Sequence, residues 1–139
     1  FLSWGYLVPK ISKNVSDAIR LLKFGAPLNL IVLAFIIYLG PKAGAYHWAF
    51  FAVSSVFLSL TQPAVGMAFS LSNAGKALTS FNLLLFIGAF ALQWIIGVII
   101  DLTMNLGYSE ISGFRFAMIF FLLTSFFSYL FFLIRNYKN

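Results

Sequence analysis

The stretch Ala77–Ile100, ALTSFNLLLFIGAFALQWIIGVII, runs for 24 residues without a charged side chain, between Lys76 and Asp101. At about 1.5 Å per residue, a helix of that length crosses a hydrocarbon core of roughly 30 Å. Three more uncharged gaps lie around it, at 24–41, 43–75 and 116–134. The two shorter ones, of 18 and 19 residues, reach across once a few flanking residues join them. Four membrane-spanning helices are expected.

The composition agrees with that reading. Of the 139 residues 62% are hydrophobic and 9% charged, whereas a soluble domain carries about 25% charged residues. A strand barrel would need alternating apolar and polar positions in segments of about ten, but Leu30–Ile37 and Phe116–Leu123 are apolar at every position. The class expected is an all-α, polytopic helical membrane protein.

The polar punctuation sets the boundaries. Phe1–Val8, before Pro9 and Lys10, is too short for a span and has no charged leader, so residues 1–9 read as the end of a preceding helix. Residues 10–26 read as a cytoplasmic loop. Within it Val15, Ala18, Ile19 and Leu22 recur at helical spacing opposite Lys13, Ser16, Arg20 and Lys23, the pattern of a short amphipathic surface helix. Pro27 is placed to start the first span and Gly40-Pro41 to stop it. The spans are expected at 27–40, 46–71, 79–101 and 115–134, with Ser72–Gly75 as a turn and 135–139 as a cytoplasmic tail.

Alternating loops put Lys10, Lys13, Arg20, Lys23, Lys76, Arg135 and Lys138 on one side and Lys42 and Arg115 on the other. The richer side is cytoplasmic by the positive-inside rule, so both ends of the chain face the cytoplasm. The net charge of +6 then belongs to the membrane surface, and no nucleic-acid partner is expected.

Polar residues within the spans point to function. In the second span Ser55, Ser59, Gln62, Gly66 and Asn73 are 4, 3, 4 and 7 residues apart, and in the third Asn82, Phe86, Ala89, Gln93 and Gly97 are 4, 3, 4 and 4 apart. Each set keeps to one stripe of a helix. Ser55, Ser59, Gln62, Asn82, Gln93 and the adjacent Trp94 are therefore candidates to line a polar cavity. Close helix packing is the other use of such small and polar residues, and Pro63 is placed to bend the second span. The first span, with Asn29 and Tyr38 near its ends, and the Phe-rich fourth are expected to face lipid. Asp17, Asp101, Glu110 and His47 lie at or beyond span ends, so neither a catalytic set nor a metal site is expected, and no cofactor.

Gly5-Tyr6-Leu7-Val8-Pro9-Lys10-Ile11-Ser12-Lys13-Asn14, ahead of four spans and a basic tail, resembles a cytoplasmic loop of the major facilitator superfamily, whose pattern is G-x-x-x-D-[RK]-x-G-[RK]-[RK]. Gly5, Lys10 and Lys13 match; Pro9, Ser12 and Asn14 depart from it. Gly66–Phe69, Gly75–Leu83 and Gly88–Gly97 look like helices ten and eleven of bacterial members with their short connection. The resemblance implies part of a six-helix half-bundle, helices nine to twelve, in a bacterial cytoplasmic membrane. It further implies that ten and eleven line the cavity, that the N-terminal half is missing from this chain, and that a small solute moves by alternating access with a coupling proton or ion. A self-contained four-helix accessory or assembly subunit is the alternative.

Overall fold

The computed structural model describes residues 14–136 and places four helical spans, with no strand among the described residues. The first is α1, Val15–Leu39, ending in a 3₁₀ turn at Gly40–Lys42. The second is composite: α2, Ala45–Ser54, a 3₁₀ segment Ser55–Leu60, and α3, Thr61–Met67. The third and fourth are α4, Leu71–Asn105, and α5, Glu110–Asn136. All four are long and apolar enough to cross a membrane, so the chain is a multi-pass membrane protein.

Short connections make consecutive spans antiparallel neighbours, and the last packs back against the first. Arg20, Lys23, Lys76 and Arg135 thus gather at one end of the bundle with Asp17. Lys42 and Arg115 lie at the other with Asp101 and Glu110. The segregation follows from connectivity alone.

Three boundaries differ from expectation. Residues 15–26 form no separate surface helix; α1 starts at Val15, capped by the Asn14 Oδ1 that accepts the Asp17 N–H at 2.9 Å, and continues into the first span. Pro27 lies inside it. Its ring removes the N–H that the Lys23 carbonyl would have accepted, and the Tyr129 hydroxyl donates to that carbonyl instead, at 2.8 Å. Second, the turn between the second and third spans is at Ala68–Ser70, and Ser72–Gly75 is helical. Extended Ser70 (ψ 151°) accepts the Asn73 and Ala74 N–H groups on its carbonyl, each at 2.8 Å, and starts α4 there. Third, α4 at 35 residues rises about 52 Å, well beyond a hydrocarbon core, so the expected 79–101 is only its middle.

The burial pattern also differs. The first span, expected to face lipid, is the most enclosed of the four: 44% of its most apolar window is buried, against none for α4. Ala18, Leu22, Val32, Leu33 and Ile36 of α1 form most of the apolar core, joined by Leu60 and Ala117. Close approach makes this possible: a β-carbon at Gly25 would overlap the Phe57 side chain. Gly25 is what lets α1 lie against the 3₁₀ segment of the second span.

Candidate functional site

The α-to-3₁₀ change in the second span meets the first span at Asn29. Asn29 is 7% exposed and its amide nitrogen donates to Ser54 Oγ at 2.9 Å, Ser55 Oγ at 2.8 Å and the Phe51 carbonyl at 3.3 Å. Both serine hydroxyls in turn donate to the Phe51 carbonyl at 2.8 Å. A polar amide is costly in a bilayer unless paired, and here each donor has an acceptor. The knot also occupies a carbonyl at the point where the helix changes its winding.

Below the knot, towards the basic end, is a crevice of about 660 Å³ reached by all four spans. Its walls are largely apolar, from Leu22, Ala26, Leu58, Leu92, Phe121 and Phe132. Asn29, Ser55, Thr61, Thr124, Ser125, Ser128 and Tyr129 add amide and hydroxyl groups, and no charged side chain lines it. Leu58 and Ser128, both exposed, mark where it reaches the surface.

At the basic end two bonds tie α5 to α1. Tyr129 caps the carbonyl that Pro27 leaves without a donor, and Lys23 Nζ donates to the Asn136 carbonyl at 3.1 Å, in the last turn of α5. A cation at a helix C-terminus also complements the helix dipole.

The sequence-selected residues do not converge. Ser55 alone of the six lines the crevice. Ser59 donates to the Val56 carbonyl at 2.7 Å within its own span. Asn82 is half-buried, Gln62 and Gln93 are exposed, and Trp94 is 66% exposed. One reason is the 3₁₀ segment: at three residues per turn it advances about 120° per residue, so a stripe counted at 100° drifts across Ser55–Leu60. Gly5, Lys10 and Lys13 lie outside the described residues.

Asn29 and Ser54 were the residues that sequence reasoning passed over. A span beginning at Pro27 leaves Asn29 at its edge, whereas Asn29 is central in the observed helix, Val15–Leu39. The adjacent hydroxyls Ser54-Ser55, in an otherwise apolar run, were the available signal for a partner across the interface.

Among the described residues no group of three or more His, Asp or Glu side chains is placed to hold a metal ion. Comparison with protein-family models, with curated proteins and with solved structures gives no match to this chain.

Proposed function

We propose that these four spans are the C-terminal part of a secondary active transporter of the major facilitator type, moving a small solute across a bacterial cytoplasmic membrane by alternating access. The observation that carries the reading is the pair Gln62 and Gln93. Both lie within uncharged membrane stretches, both are exposed on the outside of the four-span bundle, and among the described residues no hydrogen bond reaches either amide. An amide facing lipid without a partner costs several kcal/mol in the worst case, so the faces bearing Gln62 and Gln93 call for a water-filled cavity or more protein.

In this reading the α3 and α4 faces turn towards the other helices of the transporter, with Asn82 and Trp94 beside Gln93 in the same wall. The basic end lies in the cytoplasm. The 3₁₀ segment followed by Pro63 supplies a place where the second span can flex, since such mid-helix stretches often act as hinges. The chain acts as part of a carrier and not as an enzyme, and lipid, solute and a coupling proton or ion are its partners.

A second reading has the same amides docking against a separate membrane protein, the chain being a self-contained accessory subunit. Single cysteines at Gln62, Gln93 and exposed Phe127, in the full-length protein in sealed vesicles of either orientation, separate the two. A transport cavity predicts that a membrane-impermeant maleimide labels positions 62 and 93 much faster than 127, from both sides as the carrier cycles. Docking predicts protection at 62 and 93, so rates no faster than at position 127 would sink the transport cavity, and fast labelling at both would sink docking.

A further inference from the structure

We infer that the crevice between the spans is a binding site for one anionic phospholipid, its acyl chain inside and its phosphate on the basic residues beyond the end lined by Leu22 and Phe132. The site is separate from the faces bearing Gln62 and Gln93, neither of which lines the crevice.

Three observations carry the assignment. The crevice is apolar and uncharged, and its roughly 660 Å³ falls within the ~300–1,000 Å³ of small-molecule sites, enough room for one long acyl chain. Its wall residue Phe132 stands one helical turn from Arg135 on the same face of α5, and Leu22 adjoins Lys23 in α1, so the cations lie at this end of the crevice. The bond from Lys23 Nζ to the Asn136 carbonyl brings these two helix ends together. It uses one of the three ammonium donors and leaves two for a phosphate. Arg20 and Arg135 are exposed, and Asp17 is the one acidic side chain at this end among the described residues, in the first turn of α1.

The chemistry selects between possible occupants. A free phosphate would use the cations and leave the crevice unfilled. A zwitterionic lipid would use the crevice, but its own cation would oppose the three basic side chains. Only an anionic lipid satisfies both halves. Basic pockets between membrane helices on the cytoplasmic side bind such headgroups, and the attraction is about 1 kcal/mol per Lys or Arg.

The test uses the full-length protein in detergent with dioleoylphosphatidylglycerol or dioleoylphosphatidylcholine as probe, read by native mass spectrometry. One phosphatidylglycerol is expected to remain bound where phosphatidylcholine is lost. Arg20→Gln with Arg135→Gln removes two exposed charges without touching the packing, and should weaken retention about 30-fold. Ala26→Phe fills the crevice, leaves every charge in place, and should abolish retention. Equal retention of both lipids would overturn the assignment. So would undiminished retention in Ala26→Phe, which would mean surface binding of the headgroup alone.

Discussion

Replacing Asn29 with Val, apolar and close to it in size, tests whether the polar knot stabilises the packing of the first two spans. The substitution removes two short bonds to hydroxyls, at 2.8 and 2.9 Å, and one longer bond to the Phe51 carbonyl at 3.3 Å. Side-chain hydrogen bonds inside membranes average about 0.6 kcal/mol and reach about 1.7. Two good bonds and one weak one therefore come to about 1–2 kcal/mol. The cost is held down because Ser54 and Ser55 still donate to the Phe51 carbonyl after the change, so no hydroxyl proton is left without an acceptor. Unfolding by dodecyl sulfate in mixed micelles, followed by circular dichroism, measures the loss. Asn29→Val combined in turn with Ser54→Ala and Ser55→Ala should give coupling energies of about 0.6 kcal/mol each. Coupling near zero with both serines, or a stability unchanged by Asn29→Val, would refute the knot as a stabilising contact and leave it a passive way of satisfying polar groups.

Tyr129→Phe should cost about 1 kcal/mol through the exposed Lys23 carbonyl, and Pro27→Ala should erase that cost by restoring the intrahelical donor; additive losses in the double variant would contradict the pairing. Gly25→Ala should destabilise by about 1–3 kcal/mol through overlap with Phe57, with Phe57→Ala recovering most of it in the same unfolding assay. Gly107, at φ 84° in the turn before α5, should lose about 1 kcal/mol on replacement by Ala, whereas Gly44, with open space at its β-position and φ −89°, should tolerate Ala; equal effects would mean that backbone conformation is not what selects Gly107.

The four spans were legible because charge is so sparse that Lys76 and Asp101 bracket the uncharged middle of α4 without reference to any neighbour. Local rules misplaced the first helix. Pro27 is a sound start signal when only its own backbone is considered, and the donor that makes it tolerable comes from Tyr129, 106 residues beyond the Lys23 whose carbonyl it caps. Likewise Ser72–Gly75 has turn composition, yet the Asn73 and Ala74 N–H groups find the Ser70 carbonyl and the residues wind into the start of α4. The serine stripe of the second span spreads around the helix for a geometric reason, the change of helical pitch at Ser55. The crevice was not legible at all, because Leu22, Ser55 and Tyr129 are brought together only by the packing of the first span among the others.

The claim on which the functional account depends is that Gln93 faces water or protein inside the membrane, not lipid. A nitroxide at Gln93, and another at Phe127, in the full-length protein in lipid nanodiscs allows collision with oxygen and with a water-soluble nickel chelate to be compared by electron paramagnetic resonance. The account predicts that the label at 93 meets the chelate more, or oxygen less, than the label at 127. Identical, lipid-like oxygen accessibility at both positions would contradict it.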